Sequence, residues 1–177
     1  MSKKIEKFMS YALRHEPEKV GLDIDKDGWV EINQLISAIS KNGYMDYPTL
    51  VEIVKNSNKK RFMISEDGLR IRASQGHSSK SVKMEHKEVI PPEYLFHGTA
   101  TRFVESIKMK GLIPGSRHHV HLSDNMETAI NVGRRHGKPC VFKVNAGEMH
   151  RGGHKFYLSD NGVYLTEDIK IEFLNLL

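Results

Sequence analysis

Residues 61–73 read Arg61-Phe62-Met63-Ile64-Ser65-Glu66-Asp67-Gly68-Leu69-Arg70-Ile71-Arg72-Ala73. Two β-prone runs flank an Asp-Gly pair. Asp-Gly tolerates the positive φ angles of the tight turns that join right-twisted strands, so the stretch predicts an antiparallel hairpin. Three helical patterns precede it. Ile5, Phe8, Met9, Ala12 and Leu13 recur at helical spacing over 3–13, and Pro17 closes that helix soon after Arg14-His15. Asp27-Gly28-Trp29-Val30 reads as a turn into a short extended segment. Ile32, Leu35, Ile36 and Ile39 mark a second helix, ended at Asn42-Gly43. Pro48 opens a third, with Leu50, Val51, Ile53 and Val54 as its apolar positions.

Three helices followed by a hairpin is the order of a winged helix. Residues 74–90 are serine-rich with alternating charge, the composition of a loop and linker, and the boundary falls near Pro91-Pro92. Two lobes are expected, 1–90 and 91–177. In the second, Tyr94-Leu95-Phe96-His97 predicts a strand broken by Gly98. Phe103 and Ile107 predict a helix stopped at Gly111. Val120-His121-Leu122-Ser123 predicts a strand, and Asp124 the cap of a helix over 126–135. Strands follow at 140–145, 155–158 and 163–166, with 169–174 as a possible closing strand. Closely spaced strands outnumber helices, which points to an α+β fold with a mainly antiparallel sheet.

The 177 residues carry a net charge of +5, with 38% hydrophobic and 28% charged residues, as in an ordinary soluble globular protein. There are 16 basic against 13 acidic residues in the first 90 and 11 against 9 after them. The excess is therefore spread rather than gathered in a basic tail, which is compatible with an anionic partner but does not identify one. No apolar run approaches the roughly 20 residues that cross a bilayer, and Met1 to Lys7 lacks the apolar stretch of a secretory signal. A cytoplasmic, monomeric protein without membrane association is expected. The single cysteine, Cys140, precludes an internal disulfide and reads as an inert thiol in an apolar strand.

Several motifs imitate other chemistries. Asp23-Ile24-Asp25-Lys26-Asp27-Gly28 resembles the start of a calcium loop, but Gln34 stands where the bidentate glutamate belongs, so the segment reads as a turn. His118-His119-Val120-His121 invites zinc, yet no glutamate sits at zincin spacing; histidines hydrogen-bonding in a polar cleft fit better, and no metal is expected. The third helix offers only Glu52 and Lys55 as charged residues, a poor set for reading base edges, which argues against sequence-specific DNA recognition.

The basic residues Arg14, His15, Arg61 and Arg117 stand in unusual strings: Leu13-Arg14-His15, Lys60-Arg61-Phe62 and Ser116-Arg117-His118-His119-Val120-His121-Leu122-Ser123. Guanidinium and imidazolium groups hold a phosphate where no metal is dedicated to it. Arg14-His15 falls at a helix C-terminus, whose dipole favours a cation. With Ala73-Ser74-Gln75-Gly76-His77-Ser78 and His97-Gly98-Thr99, these strings make the chain resemble, along essentially its whole length, the KptA-type RNA 2′-phosphotransferase family.

That resemblance implies a winged-helix lobe followed by a lobe of the ADP-ribosyltransferase fold. It implies an enzyme of tRNA splicing that uses NAD⁺ as a consumed co-substrate and no metal to remove an internal RNA 2′-phosphate. The 2′-phosphate attacks C1″ of the nicotinamide ribose; the 2″-hydroxyl then attacks phosphorus. The products are RNA with a 2′-hydroxyl, ADP-ribose 1″,2″-cyclic phosphate and nicotinamide. Position by position, Arg14, His15, Arg61 and Arg117 match the catalytic tetrad. His97, Gly98 and Thr99 match the NAD-contacting motif, with His121 and Ser123 bounding the nicotinamide-ribose pocket. Gln75, Gly76 and His77 match a segment contacting RNA or its phosphate. The glutamate common in ADP-ribosyltransferases has no clear match around Gly162 to Leu165. The resemblance places the pocket at the cleft between lobes. Two alternatives are an ADP-ribosyltransferase acting on nucleic-acid terminal phosphates and a non-catalytic NAD- or RNA-binding regulator.

Overall fold

In the computed structural model of the protein, which describes residues 2–41, 43–57 and 60–177, the stretch 61–73 forms β2 (Phe62–Ile64) and β3 (Arg70–Ala73). They are antiparallel, with Phe62 opposite Ala73 and Ile64 opposite Ile71. Gly68 takes a positive φ of 73° at the turn, and Asp67 accepts the Leu69 N–H. The helices before the hairpin are α1 (Ser2–Arg14), α2 (Ile32–Ser40) and α3 (Tyr47–Asn56). Asp46 caps α3 by accepting the Thr49 N–H, and Pro48 lies in its first turn, where a missing N–H costs nothing. Asn42, half of the expected stop of α2, lies outside the described residues. The short β1 (Val30–Glu31) pairs with β3, giving a sheet ordered β1-β3-β2.

Period-2 alternation decides which face of β3 is inside: Ile71 and Ala73 are fully buried while Arg70 and Arg72 are not. The buried face meets Met9, Leu13, Leu35 and Leu50 in one core; each such side chain contributes about 1.5–3 kcal/mol on burial. Asp25 accepts the N–H groups of Asp27 and Trp29, so the calcium-like string is folded as a turn around its own carboxylate.

The linker expected over 74–90 is not one. Ser74, His77, Ser79, Val82 and Met84 are buried, and Ser78, Ser79 and Lys83 hydrogen-bond through their backbone to Arg14 and Lys26. Beyond them β4 (Lys87–Val89) belongs to a sheet. Serine-rich composition imitates a solvated loop, yet small hydroxyl residues also suit a segment packed closely on backbone. The chain divides into two compact units, Met1–Glu85 and His86–Leu177.

The second unit has two antiparallel sheets, ordered β10-β7-β5 and β4-β8-β9-β6. Their strands are β5 (Leu95–Ala100), β6 (Val120–Leu122), β7 (Pro139–Val144), β8 (Phe156–Leu158), β9 (Tyr164–Thr166) and β10 (Leu174–Leu176). Helices α4 (Val104–Lys110), α5 (Met126–Gly133) and α6 (Ala146–Arg151) complete it. The fold is α+β with antiparallel sheets. Its core, with Leu95, Leu122, Phe142, Met149 and Phe156, is separate from that of the first unit.

Three expectations are corrected here. Gly98 does not break the first strand; β5 runs through it to Ala100. Asn125, not Asp124, caps α5 by accepting the Thr128 N–H. The run 169–174 is a 3₁₀ turn over Ile171–Phe173, and the closing strand follows it. Among the described residues no helix is long and apolar enough to cross a membrane.

Candidate active site

In the first unit, Arg14 is the last residue of α1 and His15 the first beyond it. A helix leaves its final carbonyls without intrahelical partners. Here the Arg14 carbonyl accepts the N–H groups of Ser78 (2.8 Å) and Ser79 (3.2 Å). His15 Nδ1 and Ser78 Oγ are 2.7 Å apart. Across the sheet, Arg61 donates from Nη1 to Glu6 Oε2 on α1 at 3.3 Å, a half-buried ion pair. Before Arg61, Lys60 adopts φ = +44°, a left-handed conformation rare outside glycine. Its carbonyl accepts the Ser74 hydroxyl at 2.7 Å, and the Arg61 carbonyl accepts the Ser74 N–H at 2.9 Å.

Arg14-His15 and Lys60-Arg61, some 46 residues apart in the chain, are therefore tied to one short segment, 74–79. Gly76 turns it at φ = +85°. His77, 3% exposed, lies against Gly28, where an added Cβ would sit 3.1 Å from His77 Nε2. Gln75 buries a side-chain oxygen that has no hydrogen-bond partner among the described residues.

In the second unit, Phe96 and Ser123 exchange backbone hydrogen bonds of 2.7 and 2.9 Å, which joins β5 to the end of β6. His97 and His121 meet there, with His97 Nδ1 3.0 Å from the His121 carbonyl. Burial holds His97 below the usual imidazole range, against the opposing pull of that hydrogen bond; His136 and Arg117 lower it further. In the neutral ring, Nδ1–H donates to the carbonyl and Nε2 is an acceptor.

Gly98 has a structural duty: a Cβ there would collide with the carbonyl of Ala129 on α5. At Gly133, a Cβ would come within 2.5 Å of the Thr99 carbonyl. The two glycines press α5 onto β5. Thr99 is 7% exposed, and a ligand can meet Gly98 only through its backbone. Arg134, Arg135 and His136 follow α5 directly. Arg117 is held below its ordinary range first by burial and then by Arg135. Burial and the Arg135 guanidinium thus disfavour the charge on Arg117, a setting suited to an anion.

The structure brings together Arg14, His15 and Gln75 to His77 in the first unit, with the Arg61 backbone tied to the same segment through Ser74. It brings together His97, His121, Ser123 and Arg117 in the second. Sequence reasoning missed Glu6, Ser74, Ser78, Arg135 and His136. The string Ala73 to Ser78 is legible in the sequence as a motif, but not its role as a tie. His119 packs against His86 and Tyr157, with ring centroids 6.2 and 5.8 Å away. Among the described residues no three His, Cys, Asp or Glu side chains are grouped to hold a metal. Cys140 is half-buried, and burial pushes its thiol up.

The sequence matches, over residues 1–168, the model of the family described as RNA 2′-phosphotransferase, Tpt1 / KptA family. Three relatives are each named "Probable RNA 2′-phosphotransferase". One from Pectobacterium carotovorum subsp. carotovorum is 52% identical over 97% of this chain and 92% of its own. One from Pseudomonas syringae pv. tomato is 50% identical over 96% and 91%. One from Pseudomonas fluorescens is 50% identical over the full length of both.

Proposed function

The chain belongs to the Tpt1 / KptA family of RNA 2′-phosphotransferases, and on that premise we propose that it is an NAD-dependent transferase removing an internal RNA 2′-phosphate of the kind left by tRNA splicing. The observation that carries this reading is the tie in the first unit. One segment holds the backbone at Arg14 and at Lys60-Arg61 and binds the His15 ring, and this reading assigns their two guanidinium groups and imidazole to one phosphate grip. The element order and the β1-β3-β2 sheet support a winged helix for that unit; the paired antiparallel sheets support an ADP-ribosyltransferase fold for the other.

In the first step a 2′-phosphate oxygen attacks C1″ of the nicotinamide ribose, the C1″–N bond breaks, and nicotinamide leaves. A phosphate is ionised at neutral pH, with a second pKa near 6, so no base is needed to make this nucleophile. Orientation and charge neutralisation are needed, and Arg14, His15 and Arg61 provide them. In the second step the ribose 2″-hydroxyl attacks phosphorus and loses its proton. The bond to the RNA 2′-oxygen breaks, and that oxygen takes up a proton. Charge gathers on the phosphoryl oxygens, which Arg117 stabilises without a metal.

NAD⁺ is the co-substrate. His97, with Nε2 as acceptor, suits a ribose hydroxyl; the Gly98 backbone and Thr99 line the same strand, and His121 and Ser123 bound the nicotinamide side. Arg135 adds positive charge that acts on Arg117, as a pyrophosphate requires. Gln75 and Gly76 contact the RNA or its phosphate, while buried His77 maintains their conformation. The protein acts as a cytoplasmic monomer.

The test is incubation with NAD⁺ and an internally 2′-phosphorylated RNA, followed by mass analysis. RNA lighter by one phosphate, together with free ADP-ribose cyclic phosphate, is the expected result. ADP-ribose retained on an RNA terminal phosphate would replace this reading with that of a nucleic-acid ADP-ribosyltransferase. No product of either kind would overturn both.

A further inference from the structure

We propose that Ser78 is a positioning residue for His15, and that Ser74 is its counterpart for Arg61, so that segment 74–79 sets the geometry of the phosphate grip. This inference rests on the function proposed above and adds two residues to it. The last carbonyls of a helix lack intrahelical partners and take them from elsewhere in the chain. Arg14 ends α1, and His15 follows it with its N–H on the Tyr11 carbonyl. The Ser78 and Ser79 N–H groups satisfy the Arg14 carbonyl at 2.8 and 3.2 Å, which holds the backbone of the helix end. The Ser78 hydroxyl, 2.7 Å from His15 Nδ1, then fixes the ring. With the imidazole protonated, Nδ1–H donates to Ser78 Oγ, and the phosphate contact assigned to His15 is made through Nε2.

Ser74 does the equivalent at the other string. Lys60 at φ = +44° is strained for a residue with a side chain, and such strain persists only where the surroundings enforce it. The Ser74 hydroxyl on the Lys60 carbonyl and the Ser74 N–H on the Arg61 carbonyl enforce it. They set where Arg61 leaves the backbone, and Glu6 holds its far end. Gly76 at φ = +85° and buried His77 give the segment the bend that lets Ser74 and Ser78 reach both strings.

The experiment uses full-length protein with ¹⁵N-labelled histidine and the variants Ser78→Ala, Ser78→Thr and Ser74→Ala. Three readouts are taken: His15 ring-nitrogen resonances during titration with inorganic phosphate, steady-state turnover on 2′-phosphorylated RNA, and thermal midpoint. S78A should move the His15 Nδ1 resonance, weaken the phosphate-induced change at Nε2, and lower turnover about tenfold, the factor of a lost hydrogen bond to a charged group. Its melting point should stay near wild type. S78T, which keeps the hydroxyl, should recover most of the turnover. Adding S78A to His15→Ala should cost nothing further. S74A should raise KM for the RNA more than it lowers kcat.

An unchanged His15 resonance in S78A, turnover within twofold of wild type, or full additivity with H15A would overturn the proposal. If wild type fails to process the RNA, the functional reading fails, while the resonance and phosphate titration still decide whether Ser78 orients His15.

Discussion

In the first unit Arg61 meets Glu6 at 3.3 Å and His15 meets Ser78 at 2.7 Å. In the second, burial and the Arg135 charge press on Arg117, while burial, with His136 and Arg117, keeps His97 neutral. The same residue types are thus prepared differently. The first unit's groups are aimed by hydrogen bonds and a carboxylate, which fixes geometry and tempers charge. The second unit's are crowded by burial and by other cations, which leaves charge uncompensated until an anion arrives. Geometry suits the grip on a phosphate already present in the ground state; uncompensated charge suits negative charge that develops during reaction.

The strongest way to break this contrast is Arg117→Ala. Turnover should fall by about 10²–10³, the usual loss when one stabilising donor is removed from a transition state. RNA carrying an ADP-ribosylated 2′-phosphate should accumulate in the mass spectrum. Weaker RNA binding without that species would show Arg117 to be a ground-state contact like those of the first unit.

Gly98→Ala comes next, on stability. The Ala129 carbonyl cannot retreat without moving α5, so the second unit should lose about 3 kcal/mol. That corresponds to a drop of roughly 12 °C for a unit of this size, read by calorimetry. An unchanged midpoint would remove the account of how α5 and its basic end are placed.

Glu6→Gln sharpens the comparison from the other side. It keeps the shape and removes the compensating charge, and turnover should fall about threefold, mainly through KM, as for a hydrogen bond weakened rather than deleted. A rise in kcat would mean that Arg61, like Arg117, works better uncompensated.

The smallest effect is pH dependence. His97 is held below its unfolded value of about 6.5. The unfolded chain therefore binds the extra proton first, and the stability contributed by neutral His97 is present above that pH and declines as pH falls below it. Thermal midpoints between pH 7.5 and 5.5 should fall more steeply for wild type than for His97→Gln. Equal slopes would show that His97 is not the buried neutral group described.

The hairpin at 61–73 was readable because Asp-Gly turn chemistry and period-2 alternation are local. The three helices were readable because apolar spacing and Pro17 and Pro48 act within a few residues. Segment 74–90 misled because composition reports average solvation, and a serine that ties two backbones looks like one in a solvated loop. Gly98 misled for a related reason. Glycine signals close approach without naming what approaches, and here it is Ala129 on α5. Asn125 and Asp124 are equally good caps in sequence, and only the turn after β6 selects between them.

By itself the sequence determined the α+β class, the order of the elements and the basic strings that mark the family, because each depends on periodicity or on short motifs in fixed order. Only the tertiary structure decided that Ser74 and Ser78 tie two distant strings, that Glu6 answers Arg61, and that Arg135 and His136 stand with Arg117 and His97. Those relations join residues far apart in the chain, and each depends on packing and register within a unit.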